Sequence, residues 1–215
     1  MLFRSGRTPN VNDLGLDAAG IAFDPRVGVR VDDHFRTTNR AVFAAGDVCS
    51  RFQFTHAADA MARIVLQNGL FPGRGQGSSL VIPRCTYTDP EIAAVGLTEA
   101  EARDRGVAVD VLVEEMSHND RAVLDGETAG FAKVLLKRGT DQIVGAEIVA
   151  SHAGDMLNEL TLAMTAQIGL STLARTIHPY PTQGEIIKRL ADQFSRRRLT
   201  PNVKWLFAKW FAWTR

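Results

Sequence analysis

The chain of 215 residues has only two cysteines, Cys49 and Cys85, separated by 36 positions. So few cysteines exclude a disulfide-rich secreted scaffold and a four-cysteine zinc site. Each isolated cysteine is typical of a small buried apolar side chain, and we assign neither as a metal ligand. Because a reducing compartment is the default for such a sequence, we expect a cytoplasmic location.

Long apolar runs are also lacking. No segment approaches the roughly 18 consecutive apolar residues of a membrane-spanning helix, and the apolar run after Met1 is too short for a secretory signal. Acidic residues are absent from residues 196–215, which hold six basic ones, although the whole chain has 25 Lys and Arg against 24 Asp and Glu. The remaining body is therefore acidic and lacks the broad basic face that binds nucleic acid, so we expect no nucleic-acid partner.

The first 79 residues contain few periodic segments. Weak alternation predicts a short strand over 27–31. The continuous apolar run Ala41–Ala45 predicts a strand buried on both faces, as in a parallel sheet. A helix is predicted over 57–70, and the Gly/Ser-rich residues 71–79 are predicted to form a linker.

The remainder of the chain has a different pattern of strands and helices. Alternation and helical spacing predict strands over 92–97, 107–116, 130–137 and 142–150, and helices over 98–106, 154–168 and 183–197. Thr98 and Glu101 have the spacing of a capping box at the start of a helix. Strands and helices without strict alternation indicate an α+β domain with an antiparallel sheet.

One candidate binding site follows the predicted buried strand, in the run TNRAVFAAGD at 38–47. Ligands of parallel α/β sheets bind at the carboxyl ends of strands, where Gly46 and Asp47 would lie. A carboxylate there suits a ligand with a chain of hydroxyl groups, whereas the alternative is an ordinary Gly-Asp turn. The next helix opens with Thr55, His56, Ala57 and Ala58.

Further motifs follow in a fixed order. They are GRTPN at 6–10, AVFAAGD at 41–47, FQFTHAA at 52–58, TYTDPE at 86–91, VGLT at 95–98 and HPYPTQGE at 178–185. In this order and spacing, residues 6–195 resemble the pyridine nucleotide–disulfide oxidoreductases. The resemblance implies that residues 1–79 are a truncated remnant of an α/β FAD-binding domain. It also implies that residues 80–195 are the interface domain through which the family forms homodimers, followed by a basic aromatic tail at 196–215.

The same resemblance implies two cofactors, FAD and, as co-substrate, NAD(P)H. Asp47 matches the aspartate that hydrogen-bonds the ribityl chain of FAD. Residues 55–58 match the helix start whose backbone amides face the flavin pyrimidine edge. This placement agrees with the positive end of a helix dipole, because reduced flavin carries negative charge on that edge.

Tyr180 is a departure from the disulfide reductases of the family, which carry a histidine directly before the Pro-Thr pair. A phenol with a pKa near 10 is not the readily protonated base of dithiol exchange, so Tyr180 resembles the mercuric-reductase-like branch. The resemblance implies that Tyr180, as hydrogen-bond donor, and Glu185 line the substrate site of the partner protomer. His178 is a third catalytic candidate or, alternatively, a structural histidine capping the turn. The Tyr180–Pro181 bond is a candidate cis peptide.

Several features of the family are missing from the sequence. Neither a Gly-x-Gly-x-x-Gly fingerprint nor a Cys-x4-Cys pair occurs, and no vicinal cysteine pair closes the chain to support mercury as substrate. We therefore expect the C-terminal portion of a larger FAD-dependent NAD(P)H oxidoreductase, inactive in isolation and binding FAD weakly or not at all. The alternatives are a non-catalytic dimerisation or binding module and one subunit of a split flavoenzyme.

The tail has apolar residues at helical spacing, with two lysines to the sides. The apolar residues of 200–215 are Val203, Leu206, Phe207, Trp210 and Phe211. One interpretation is a helix docked on the body or on the dimer partner. The other is peripheral membrane contact, with the helix lying flat at the lipid headgroups.

Overall fold

The computed structural model describes residues 7–197 and 199–214. The chain divides into two compact units, Met1–Ile82 and Pro83–Arg215. Each unit has its own secondary structure and buried residues, so we describe the two in turn.

The first unit has little regular structure apart from one long helix. Strand β1 (Phe23–Asp24) pairs antiparallel with β2 (Gly28–Val29), and helix α1 spans Thr55–Leu70. Helix α1 buries Ala57, Met61 and Ile64, which recur at the spacing of one helical face. A cluster of buried side chains around Phe35 and that face forms one hydrophobic core of the unit.

The strand predicted over Ala41–Ala45 is wrong. Phe43 forms only an isolated antiparallel bridge with Arg36, and the Ala44 amide donates to the Phe35 carbonyl at 3.0 Å. The backbone of the run therefore pairs with the loop just before it rather than with neighbouring strands. Asn39 fixes this reversal, because its side-chain oxygen accepts a hydrogen bond from the Ala41 amide at 3.1 Å. The strand predicted over 27–31 is real but shorter, since only β2 is regular.

The Gly/Ser-rich segment 71–79 is held against the first unit. Asn68 on α1 donates to the Gly75 carbonyl at 2.8 Å and accepts from the Gly75 amide at 2.9 Å. Asp33 accepts from both the amide and the hydroxyl of Ser78, each at 2.7 Å. These side-chain hydrogen bonds order a stretch that has no periodic pattern of its own.

The second unit contains a five-stranded antiparallel sheet in the order β3-β4-β7-β6-β5. Its strands are β3 (Arg84–Thr86), β4 (Glu91–Gly96), β5 (Val109–Glu115), β6 (Phe131–Lys137) and β7 (Ile143–Ala150). Its helices are α2 (Glu99–Asp104), α3 (Asp120–Asp125), α4 (Ala153–Thr165), α5 (Leu170–Leu173), α6 (Glu185–Arg197) and α7 (Pro201–Thr214). The predicted α+β class with an antiparallel sheet is confirmed.

Helices α4 and α6 supply the main helical contacts of this sheet. Helix α4 packs on β7 and β4, whereas α6 packs on β5 and β6. Leu157 and Leu160 on α4 and Ile186 and Leu190 on α6 are almost completely buried. At about 25 cal/mol for each Å² of apolar surface removed from water, such side chains dominate the stability of the unit.

The predicted capping box at the start of α2 is confirmed. Thr98 Oγ1 accepts from the Glu101 amide at 3.1 Å, and Glu101 Oε2 accepts from the Thr98 amide at 3.0 Å. The hydrogen bond from the Thr98 backbone lowers the pKa of Glu101. Two of the otherwise unpaired donors at a helix N-terminus are satisfied in this way.

Candidate active site

The turn Gly46–Val48 places Asp47 beside the start of α1. Gly46 has a φ of +78°, and a Cβ atom there would lie 3.0 Å from the Cβ of Ala58. Only glycine combines this backbone conformation with so close an approach to the helix. The half-exposed Asp47 carboxylate lies 3.6 Å from the guanidinium of Arg7. An ion pair this open to water contributes little to stability, and Arg7 Nη1 also donates to the Gln53 carbonyl at 2.7 Å, so the Asp47 carboxylate stays available to a ligand.

The N-terminus of α1 has an unusual cap. Phe54 occupies the N-cap position and provides no side-chain hydrogen bond to the first turn. Its ring instead stacks on that of His56, with the centroids 5.3 Å apart. Thr55 and His56 are exposed, whereas Ala57 is buried. The N-cap side chain therefore does not offset the partial positive charge of this 16-residue helix, and an acceptor group is favoured here.

Tyr180 lies on the turn before α6 and is 70% exposed. Its hydroxyl donates a hydrogen bond to Asp120 Oδ2 at 2.9 Å, while Asp120 Oδ1 lies 3.7 Å from the Arg189 guanidinium. The hydrogen bond to Asp120, with the charge of that carboxylate, raises the pKa of Tyr180. The phenol is therefore protonated at neutral pH and acts as a hydrogen-bond donor. The predicted cis peptide at Tyr180–Pro181 is confirmed.

Glu185 is the first residue of α6, one helical turn before Arg189. Within the described residues, its Oε2 atom and the Nε atom of Arg189 are buried and have no hydrogen-bond partner. A buried polar atom without a partner costs about 1–3 kcal/mol, so each of these two atoms destabilises the present arrangement of the turn. The Glu185 charge also contributes to the raised pKa of Tyr180.

Asn119 fixes the turn that carries Tyr180. Its fully buried side chain donates to the carbonyls of Thr182 at 3.1 Å and Gln183 at 3.2 Å. The Asn119 Oδ1 atom caps α3 by accepting from the Ala122 amide at 3.0 Å. Because Asp120 follows Asn119 directly, one short segment both anchors the turn and orients the phenol.

The side chain of His178 contacts Glu159 on α4. Its Nε2 atom lies 3.0 and 3.1 Å from the two carboxylate oxygens of Glu159, and its Nδ1 atom lies 3.2 Å from the Thr176 carbonyl. Only 9% of the side chain is exposed. These contacts suit the structural alternative, in which the imidazole holds the turn. A catalytic role of His178 stays a prediction.

Cys49 lies in the first unit and Cys85 in the second, and both are free thiols. Burial raises the pKa of the Cys49 thiol to about 11, and burial also raises that of Cys85. Both thiols are therefore almost wholly protonated at neutral pH, which disfavours nucleophilic chemistry. In the part of the chain that the structure describes, no three His, Cys, Asp or Glu side chains are placed to hold a metal ion.

Two sequence models match this chain. The pyridine nucleotide-disulphide oxidoreductase dimerisation domain matches residues 82–191, and the pyridine nucleotide-disulphide oxidoreductase model matches residues 1–62. The chain belongs to the pyridine nucleotide–disulphide oxidoreductase family, and residues 82–191, within its second unit, are the dimerisation domain of that family. The resemblance found in the sequence motifs is confirmed.

Relatives with curated functions agree with this assignment. The chain is 35% identical over 195 residues to a mercuric reductase from Streptomyces lividans, covering 91% of this chain and 41% of that protein. It is 31% identical over 193 residues to a dihydrolipoyl dehydrogenase from Staphylococcus aureus, covering 90% and 41%. The chain thus spans about two fifths of the length of the curated relatives it matches.

Solved structures of flavoenzymes share the fold. The HOCl-induced flavoprotein disulfide reductase RclA from Escherichia coli is 28% identical with a TM-score of 0.79, covering 88% of this chain and 44% of that one. LpdA from Mycobacterium tuberculosis is 27% identical with a TM-score of 0.82, covering 90% and 42%. Full-length enzymes of this family use FAD together with NAD(P)H.

The residues of the first unit fit a flavin cofactor chemically. The exposed Asp47 carboxylate is an acceptor for ribityl hydroxyls, and the N-terminus of α1 favours an acceptor edge such as the flavin pyrimidine. A Cβ atom at Gly46 would lie 3.0 Å from the Cβ of Ala58 in the first turn of that helix. Asp47 and residues 55–58 would therefore hold FAD on one side.

Proposed function

We propose that this chain supplies flavin contacts and homodimerisation to an FAD-dependent NAD(P)H oxidoreductase of the mercuric-reductase-like type. The observation that carries the proposal is the exposed phenol of Tyr180, oriented by Asp120 at 2.9 Å. It occupies the position where disulfide reductases of the family carry a histidine. The side chain at the reacting position is therefore a hydrogen-bond donor in place of a base.

The first unit would contribute one wall of the flavin site. Asp47 would accept hydrogen bonds from the ribityl chain, and the first turn of α1 would face the pyrimidine edge. FAD, when bound, supplies the two-electron redox chemistry between NAD(P)H and the substrate. The Gly46–Val48 turn keeps Asp47 at a fixed distance from α1, because Gly46 lies against Ala58.

The second unit would contribute Tyr180 and Glu185 to the substrate site of the partner protomer. The phenol has one proton, which it donates to Asp120, so a substrate acceptor must compete with Asp120 for it. Glu185 lies near enough for its charge to act on Tyr180, and it would add an acceptor once substrate binding uncovers its buried Oε2 atom. Such a site binds and orients a polar substrate without removing a proton from it.

Homodimerisation would use the surface around the Tyr180 turn. Ile177 is 93% exposed and lies one residue before the anchored His178. Ile177 is therefore a candidate contact residue on an anchored segment. We place the homodimer contact within 80–195 because the family's dimerisation domain matches residues 82–191.

The isolated chain would bind FAD weakly and would not oxidise NAD(P)H. Its contacts to the cofactor amount to one carboxylate and one helix terminus. A pyrophosphate group is usually bound by a glycine fingerprint at a helix N-terminus, and residues 1–215 contain none. Purified chain that stays yellow through gel filtration would contradict this part of the proposal.

A chimaera tests the proposed function. This chain replaces the matching C-terminal part of the mercuric reductase from Streptomyces lividans, and FAD content and NAD(P)H oxidation are measured. We expect a flavin-containing enzyme in which Asp47→Ala lowers FAD retention and Tyr180→Phe lowers turnover while FAD retention is unchanged. Asp17→Ala, at an exposed carboxylate of the same unit, is the control for charge. Equal FAD retention in the Asp47→Ala and Asp17→Ala proteins would contradict the assignment of Asp47. Retention of FAD and turnover by every variant would favour a non-catalytic module.

A further inference from the structure

Helix α7 carries a set of large apolar side chains in contact with solvent. None of its residues is buried, and the exposed fraction of the six largest apolar side chains runs from 46% to 79%. These are Trp205, Leu206, Phe207, Trp210, Phe211 and Trp213. The helix begins ten residues beyond the end of the dimerisation-domain match at residue 191, so membership of the family does not account for it.

The apolar side chains of α7 are concentrated on one face. At about 100° per residue, an arc of about 160° contains no charge and is bordered by Lys204 on one side and Lys209 on the other. The residues of this arc are Val203, Leu206, Phe207, Trp210, Phe211, Trp213 and Thr214. Trp205 lies outside the arc, where the ammonium group of Lys209 is 4.1 Å from the centroid of its ring.

The charge around α7 has one sign. Residues 196–215 contain six basic and no acidic residues. Lysines at the borders of an apolar face extend their ammonium groups into a polar layer while their methylene chains cover apolar surface. Tryptophan favours the same boundary, because its ring is apolar and its N–H group is polar.

We propose that α7 is an interfacial helix that binds the chain to the surface of a bilayer containing anionic phospholipids. Its 14 residues extend about 21 Å, shorter than the roughly 30 Å hydrocarbon core of a bilayer. Among the described residues, no helix is long and apolar enough to span a membrane. Helix α7 therefore lies along the headgroups, with the apolar face inward and both lysines at the phosphates.

A second copy of α7 is a poorer occupant of the same face. Pairing two tails would bring basic residues together without any acidic side chain of either tail between them. An anionic lipid surface offers the opposite charge at the level of the lysines. The inference does not depend on the proposed oxidoreductase function, because it uses only residues beyond the dimerisation-domain match.

The three tryptophans of the chain provide a selective probe. Trp205, Trp210 and Trp213 are its only tryptophans, so intrinsic tryptophan emission reports on α7 alone. The 215-residue chain is mixed with vesicles of phosphatidylglycerol and phosphatidylcholine, and separately with vesicles of phosphatidylcholine alone. We expect the mixed vesicles to shift the emission to shorter wavelength and to sediment the chain. High salt should weaken this binding, because it screens the attraction.

A pair of charge variants provides the matched control. Lys204→Gln with Lys209→Gln removes two basic groups at the borders of the apolar face and should lower the vesicle partition coefficient about 30-fold. Arg74→Gln with Lys137→Gln removes two exposed basic groups elsewhere and should lower it less than about threefold. All four side chains belong to exposed residues, so the fold is preserved.

Four results would overturn the proposal. One is unchanged emission with mixed vesicles, and another is equal binding to both kinds of vesicle. The third is emission already at short wavelength without lipid that moves to longer wavelength on dilution, which would show that another protein copy covers α7. Equal loss of binding in the two charge variants would likewise exclude a specific role of Lys204 and Lys209.

Discussion

The hydroxyl of Tyr180 donates a hydrogen bond to Asp120 across 2.9 Å, joining residues that are 60 positions apart in the chain. Asp120 lies directly after Asn119, whose amide group holds the backbone of the turn that carries Tyr180. The position of the phenol and its protonation are therefore controlled by one two-residue segment at the start of α3. Because the Asp120 carboxylate keeps its partner protonated, a side chain that acts as a base at position 180 would need a partner other than Asp120.

Asp120 controls the ionisation of Tyr180. Both its hydrogen bond and its negative charge stabilise the protonated phenol and raise the pKa of Tyr180. Asp120→Asn should therefore lower that pKa towards the ordinary tyrosine value, so tyrosinate forms at lower pH. The measurement is a titration by tyrosinate absorbance in a Tyr87→Phe background, where Tyr180 is the only tyrosine.

The control for that titration is Asp125→Asn. Asp125 lies on the same short helix, but it accepts from Arg121 at 2.7 Å. We expect a much smaller displacement of the Tyr180 titration in this variant. Equal displacement by the two substitutions would mean that general charge, and not the hydrogen bond to Asp120, raises the pKa.

Asn119 is a polar residue that stabilises the second unit through the hydrogen bonds of its buried side chain. Asn119→Ala removes two donors to buried carbonyls and the cap of α3, so we expect a loss of about 2–4 kcal/mol in the free energy of unfolding. Asn119→Asp keeps the cap and should lose less. Urea denaturation, followed by circular dichroism, measures the free energy of unfolding of both variants. A loss below about 0.5 kcal/mol for Asn119→Ala would contradict the claim that Asn119 anchors the turn.

His178 should contribute to stability through Glu159. The imidazole is largely buried and contacts both oxygens of that carboxylate, so His178→Ala should destabilise the unit by about 1–3 kcal/mol. Lys188→Ala is the comparison, because Lys188 forms a more open ion pair with Asp192 worth about 0.5 kcal/mol or less. Similar losses in both variants, measured by denaturant unfolding, would remove the structural role of His178.

Gly46 is required for two reasons, which a pair of variants separates. Gly46→Ala meets both the positive φ and the approach of Ala58, whereas Gly20→Ala meets only a positive φ of +68° with open space around it. Adopting a left-handed backbone costs a non-glycine residue about 1 kcal/mol. We expect Gly46→Ala to lower the midpoint of unfolding of the first unit further than Gly20→Ala. The same loss in both would show that the contact with Ala58 is unimportant.

The sequence predicted those parts of the fold that have a local signal. The capping box of Thr98 and Glu101, the apolar stripe of α4 and the hairpin of β6 and β7 all depend on residues close together in the chain. The strand predicted over Ala41–Ala45 failed because the apolar run gave no information about its hydrogen-bond partners, which lie in the preceding loop. Helices α3 and α5 and strand β3 have only six, four and three residues, which is too short for periodicity to be seen.

The sequence motifs predicted the candidate site residues themselves, but they did not predict the residues that hold those side chains in place. Tyr180, Glu185 and His178 lie within one motif, whereas their partners Asp120 and Glu159 are distant in sequence. The one local signal for this support was Asn119, an asparagine at the N-cap of a helix that ends at the left-handed Gly126. Long-range contacts of this kind follow from tertiary packing and have no pattern within a single chain segment.

The most direct test of the central claim is the mass of the chain in solution by sedimentation equilibrium. The account predicts twice the 23.5 kDa of one chain. Ile177→Asp, on the surface assigned to the partner, should give 23.5 kDa, and Val27→Asp, at an exposed apolar residue of the first unit, should not change the dimer. A wild-type chain that sediments as a monomer at every concentration, or a dimer that Ile177→Asp leaves intact, would contradict the account.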